Sequence, residues 1–175
     1  QKVLELMPEH ASVTWGGTMT TEECGLTNAL KKGNYTLIDR LAAKTPEEKK
    51  ELFARAVCAD YFFMSTNAIT LDGELINVDG AGNRVACLCN GPDHVIVLAG
   101  MNKVVKNAEE GHSRARNTAA PINTLRLNKK TPCAVTGRCS DCQSPDCICS
   151  QIVVTRRSHI PGRIQVILIG EELGY

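Results

Sequence analysis

The chain has 175 residues, a length that suits one domain with one core. Hydrophobic residues make up 43% and aromatics 4%, so the core rests on Val, Ile, Leu, Ala and Met. With 20 basic and 19 acidic residues interspersed, the net charge of +1 argues against a nucleic-acid partner. No run of eighteen apolar residues exists, so no membrane-spanning segment is expected, and no secretory signal is visible. The chain starts at Gln1 rather than Met and reads as N-terminally truncated.

Taken in order, Lys2 to Met7 reads as the end of a helix, and Ala11 to Trp15 as a strand running into Gly16-Gly17-Thr18. Thr20 and Glu23 stand at capping-box spacing, which predicts a helix from there to the Lys31-Lys32-Gly33 stop. Tyr35 to Ile38 is the next strand. Thr45-Pro46-Glu47-Glu48 opens a second helix whose buried face carries Leu52, Phe53, Ala56 and Val57. Tyr61 to Met64 is a strand ending at Ser65-Thr66-Asn67. Asp72-Gly73 between apolar residues marks a hairpin over Ile69 to Asn77.

Asp79 to Arg84 reads as a tight turn leading into a short helix that runs roughly to Cys89. Val95 to Ala99 is an apolar run fit for a strand covered on both faces. Val104, Val105, Ala108, Ala115 and Ala119 fall at helical spacing, with Pro121 as the stop. Ile152 to Thr155 and Ile164 to Ile169 close the series, and this last pair is a candidate antiparallel edge. The alternation predicts an α/β fold: a mostly parallel sheet flanked by helices.

Four segments carry candidate chemistry. Gly16, Gly17, Thr18 and Thr20 lie between a strand and a helix start, a place suited to phosphate or carboxylate. They match neither the dinucleotide fingerprint nor the Walker lysine pattern, and the alternative is a capped turn with no ligand. Thr66 and Asn67, with Asp79, Gly80, Gly82, Asn83 and Arg84, offer small polar groups plus a cation. There Arg84 is a bidentate carboxylate binder, with Asp79 as a base or as the group orienting it. In the alternative, Asp79 and Asn83 only stabilise the turn. Asn102 and Lys103 follow the buried strand, and Arg116, Pro121 and Asn123 are placed to close the same cleft.

The fourth segment is a Cys-rich insert at 131–150. Five of the nine cysteines crowd into it, and Cys133, Cys139, Cys142 and Cys149 make a four-thiolate set, with Cys147 as a spare. Zinc is the expected metal, with an iron–sulfur cluster as the alternative. Reduced thiols beside a metal-type cluster indicate a cytoplasmic setting. The four histidines show no ligand spacing, and no Gly-x-Ser-x-Gly elbow is present.

Several of these segments resemble the LUD (lactate utilisation) domain family. The resemblance rests on Ser65 to Thr70 (STNAIT), Asp72 to Arg84 (DGELINVDGAGNR) and Gly100 to Lys103 (GMNK). It extends to Thr14 to Thr20 (TWGGTMT), Arg116 to Asn123 (RNTAAPIN), the cysteine segment and Ile169 to Tyr175 (IGEELGY). It covers nearly the whole chain, which looks like a short member made of a single LUD-type domain, 1–175, without the ferredoxin-like extension of larger members. Cys147 departs from the expected pattern. The resemblance implies a fold like the ribose-5-phosphate isomerase, glucosamine-phosphate deaminase and CoA-transferase group. Members of that group bind phosphorylated or acyl ligands at loops after the strands. Larger LUD members take part in oxidising L-lactate to pyruvate. The expected occupant is therefore a small anionic ligand. The alternatives are a metal-bearing accessory or electron-transfer protein of a lactate-oxidising assembly, or a non-catalytic regulatory domain. The expected protein partners are a second copy of the chain or members of such an assembly.

Overall fold

A computed structural model describes residues 2–175. In chain order it contains β1 (Ser12–Trp15), α1 (Met19–Glu23), α2 (Leu26–Lys32), β2 (Thr36–Ile38), α3 (Pro46–Val57) and β3 (Tyr61–Met64). The hairpin of β4 (Ala68–Thr70) and β5 (Leu75–Asp79) follows, then α4 (Asn83–Asn90) and β6 (His94–Gly100). Next come β7 (Val104–Val105), α5 (Ala108–Arg114), a π-helical stretch over Ala115–Ala119, and α6 (Ala120–Arg126). Last are α7 (Pro132–Thr136), β8 (Gln151–Thr155) and β9 (Ile164–Ile169).

The strands make two sheets. The larger has the order β2-β1-β3-β6-β9, with every pairing parallel. The smaller has the order β7-β4-β5-β8 and is antiparallel except where β7 runs beside β4. Period-two alternation decides what β3 touches. Tyr61 and Phe63 pack with Val13, Leu26, Leu30, Ile96 and Leu98 on one face. Phe62 and Met64 pack with Cys87, Leu88, Val95 and Val97 on the other. Helices thus cover both faces, which explains why β3 is buried along its whole length.

Local signals are met where chemistry is strong. Thr45 and Glu48 form the full capping box at the start of α3. Gly73, at φ 85°, turns the β4–β5 hairpin. Other expectations are corrected. The 2–7 segment is a short 3-10 turn at Leu4–Leu6. Thr20 does not cap a helix. Here α1 starts at Met19 with Thr18 at its N-cap, and Gly25 at φ 75° separates it from α2. Val104 and Val105 are a strand paired with Ile69 and Thr70, and the helix begins at Ala108 behind an Asn107 cap.

Pro121 does not stop that helix. Over Ala115–Ala119 the turn widens, and the Ala120 N–H reaches the Ala115 carbonyl five residues back. This spacing makes room for a ring that would clash in a regular turn, and the chain stays helical to Arg126. The closing strands do not pair with each other. β9 is a parallel edge of the large sheet, and β8 is an antiparallel edge of the small one. No helix among the described residues is long and apolar enough to cross a membrane.

Candidate functional site

The carboxyl ends of the parallel strands bring the first three sequence motifs together. Gly16 follows β1, and a Cβ there would stand 3.3 Å from the Arg84 side chain. A side chain at this position would make the arginine stem give by a few tenths of an ångström. A Cβ on Gly17 would meet nothing within 4 Å.

Arg84 is committed to the fold. One terminal nitrogen donates to the Ser65 carbonyl (3.2 Å) and Asn77 Oδ1 (2.5 Å). The other donates to Asn67 Oδ1 (3.2 Å) and the Val78 carbonyl (2.7 Å). Asp79 lies 3.8 Å from its Nε, and the Asp79 carboxylate accepts backbone N–H groups of Gly82, Arg84 and Val85. Burial pulls the Arg84 guanidinium below its ordinary pKa, against the opposing effect of Asp79. Through these bonds Asp79 and Arg84 tie the loop after β3 to the turn before α4. Thr66 likewise turns inward, with its hydroxyl on the Ala68 and Ile76 carbonyls. Asn83 is exposed outside this network, and Gly82 takes φ 80° to start α4.

Lys103 is different. Its side chain is 2% exposed, and its Nζ donates to Thr20 Oγ1 and Ser65 Oγ, each at 2.8 Å. No carboxylate among the described residues lies within ion-pair distance of it. Burial, then the nearby charge of Arg114, lowers its pKa from 10.5 to about 8, while Glu23 pulls the other way. Thr20 therefore acts as a partner of this ammonium rather than as a helix cap. Arg114 buttresses the same place: its Nε donates to the Asn102 carbonyl (2.9 Å) and its Nη1 to the Asn67 carbonyl.

The segment after β9 lies across these loops. Asn102 donates to the Gly174 carbonyl (3.1 Å), the Leu173 carbonyl faces Thr20 Oγ1 (3.3 Å), and Glu23 accepts the Gly174 N–H (2.6 Å). Tyr175 donates its hydroxyl to Asn123 (2.8 Å), which places Asn123 at the far end of this cover.

Arg116 belongs elsewhere. It pairs with Asp141 and lines a cavity of about 360 Å³ against the cysteine segment. Cys133, Cys139, Cys142, Cys147 and Cys149 all line that cavity as free thiols. Cys139 Sγ accepts the Asp141 N–H (3.4 Å), and Cys147 Sγ accepts the Cys149 N–H (3.3 Å). Burial and the neighbouring thiols push Cys149 up to about 12. The donor set suits a thiophilic metal. Yet among the described residues no three His, Cys, Asp or Glu side chains are arranged to hold one ion. Gly80 explains how the segment is seated: a Cβ there would stand 3.1 Å from the Ile148 backbone.

Sequence reasoning missed Arg40 and Arg114. Arg40 stands two residues after the Ile38 end of β2, and that strand-end position is the signal that could have found it.

Fold and site define an open, parallel-sheet α/β domain whose polar centre lies at its strand ends. The chain belongs to the LUD domain family, whose model matches residues 1–169. Among curated proteins none matches it. Solved structures similar to it include a DUF162 family protein from Deinococcus radiodurans, at 15% identity, 92% of this chain, 88% of that one and TM-score 0.42. The eIF2B delta of Chaetomium thermophilum has 18% identity, 63% of this chain covered and TM-score 0.39, and this chain spans 48% of that one. Ribose 5 phosphate isomerase A from Neisseria gonorrhoeae has 12% identity, 61% and 51% coverage and TM-score 0.41. At such scores these likenesses say nothing of shared chemistry.

Proposed function

We propose that this LUD domain binds a small anionic ligand, a carboxylate, phosphate or acyl compound, at the loops after β1, β3 and β6. The observation that carries the reading is Lys103. A buried ammonium held only by two hydroxyls lacks the counter-charge such groups normally have. A ligand anion at this point would supply it, and a perturbed lysine at the strand ends of an open sheet is a candidate binding group. The role expected of Arg84 passes to Lys103, with Arg84 and Asp79 fixing the loops around it. The Leu173–Gly174 stretch has to move for a ligand to reach the ammonium. A hydroxy acid is the class that the lactate-utilisation resemblance favours. A thermal-shift screen with acetate, L-lactate and phosphate tests the reading. Stabilisation of the wild type that disappears in Lys103→Met supports it. No response to any of the three, or an equal response in the variant, refutes it.

A second reading rests on the five thiols around one cavity. Cys133, Cys139, Cys142 and Cys149 would hold zinc or an iron–sulfur cluster after small movements of the 131–150 loop, with Cys147 adjoining. The Asp141 N–H aimed at Cys139 would stabilise a bound thiolate there. Zinc would staple the segment, while a cluster would supply one-electron transfer to partners in a lactate-oxidising assembly. Metal analysis of anaerobically purified protein decides this. Zinc or iron bound by the wild type and lost in Cys139→Ser supports a centre, and metal-free folded protein removes it.

A further inference from the structure

The end of β2 holds an arginine that none of the interactions described above accounts for. Arg40 donates one bond, from Nη2 to the Trp15 carbonyl at 3.3 Å. Its Nε and Nη1 are buried and have no hydrogen-bond partner. Guanidinium donors left this way are costly, and a fold tolerates them where something else completes them. The Trp15 carbonyl fixes the guanidinium beside the Gly16-Gly17 loop, where a Cβ on Gly17 would meet open space. Arg40 lies near enough to Arg84 for the two charges to oppose each other.

We infer that Arg40 is a second anion-binding group of the same site, so that the ligand carries an anionic group at each end. The inference rests on the Lys103 reading and adds the substrate class to it. Strand order sets the span. Lys103 follows β6 and Arg40 follows β2, with β1 and β3 between them. Three strand spacings of about 4.8 Å separate the two strand ends by about 14 Å. Arg40 reaches the Trp15 carbonyl at the end of β1 and Lys103 reaches Ser65 after β3, so the two cationic heads stand closer together than the strand ends. A short carbon chain such as a dicarboxylate or a phosphorylated acid is the class that would join them. The guanidinium of Arg40, with its Nε and Nη1 donors unpartnered, has charge-assisted hydrogen bonds left to give to a carboxylate or phosphate. Lys103, a point charge between two hydroxyls, takes the other end.

The test compares one-ended probes, acetate and sulfate, with two-ended probes, succinate and 3-phosphoglycerate, by calorimetry. The wild type is expected to prefer one of the two-ended probes by about 10-fold to 100-fold, the gain of one added charge-assisted contact. Arg40→Gln loses that preference and still binds the one-ended probe. Arg40→Lys, which keeps the charge but not the planar guanidinium, retains part of it. Because only one hydrogen bond is lost, the unliganded melting temperature of Arg40→Gln stays within a few degrees of wild type. Binding that needs Lys103 but is unchanged in Arg40→Gln overturns this inference alone. Failure of all four probes to bind overturns it together with the Lys103 reading.

Discussion

Replacing Lys103 with Met gives a pH signature that follows directly from its surroundings. The folded pKa is about 8 against an ordinary 10.5. At about 1.4 kcal/mol per pH unit, that gap makes the buried charge cost about 3 kcal/mol of stability. Below pH 8 the lysine is protonated in both states and the folded protein bears the full cost. Between pH 8 and 10.5 the unfolded chain keeps a proton that the folded chain has released, so stability rises with pH. Above 10.5 both states are neutral and the cost is gone. Lys103→Met lacks this group, so the variant is expected to be more stable than wild type at pH 7. That advantage shrinks by about 2.5 kcal/mol on going to pH 10, or about 5 to 10 °C in melting temperature for a chain of this length. Urea unfolding of both proteins at pH 7, 8.5 and 10 measures it. Taking the difference between them cancels the other groups that titrate in this range. Curves that stay parallel within about 0.5 kcal/mol, well inside the expected change, refute the argument that the ammonium is held buried without a counter-charge.

Other parts of the structure predict further outcomes. Arg163 is buried and donates to the Pro92, Leu88 and Cys87 carbonyls at 3.0, 2.7 and 2.9 Å, tying the end of α4 to the start of β9. Arg163→Met is expected to cost at least about 3 kcal/mol and to lower the melting temperature by roughly 6 to 12 °C, read by calorimetry. A Cβ on Gly100 would stand 2.5 Å from the Leu173 nitrogen and 2.8 Å from the Glu171 carbonyl. Gly100→Ala must therefore push this segment off the site, and acetic anhydride should label Lys103 faster, as measured by mass spectrometry. Thr45→Ala removes the cap of α3 and should cost about 1 kcal/mol, seen in the urea midpoint.

The legible parts of the sequence were those fixed by local chemistry. The Thr45 box, the Asp72-Gly73 turn and the apolar runs of β3 and β6 each specify their own conformation within a few residues. The errors arose where distant groups decide. Thr20 looked like a cap because spacing alone cannot show that its hydroxyl is held by Lys103, 83 positions away. Val104 and Val105 fit a helical period equally well, and only their pairing with β4 makes them a strand. Pro121 looked like a stop because a widened turn leaves no mark in the residues themselves. At the site, Arg84 and Lys103 were both legible as cations at strand ends. That the Arg84 donors are taken up by carbonyl and amide oxygens while Lys103 meets only two hydroxyls was not legible, since it depends on which groups the fold brings together. Arg40 had a strand-end position but no motif, and its importance rests on a strand order that the sequence does not reveal.

The central claim is that a charged Lys103 receives an anion. Calorimetric titration with sulfate, whose charge is constant across the range, tests it at pH 7 and pH 9.5. With a pKa of about 8, only a few per cent of the unliganded protein carries the ammonium at the higher pH. Affinity should fall by up to about 30-fold, and Lys103→Met should bind weakly at both. Equal affinity at the two pH values, or wild-type binding in Lys103→Met, would contradict the account.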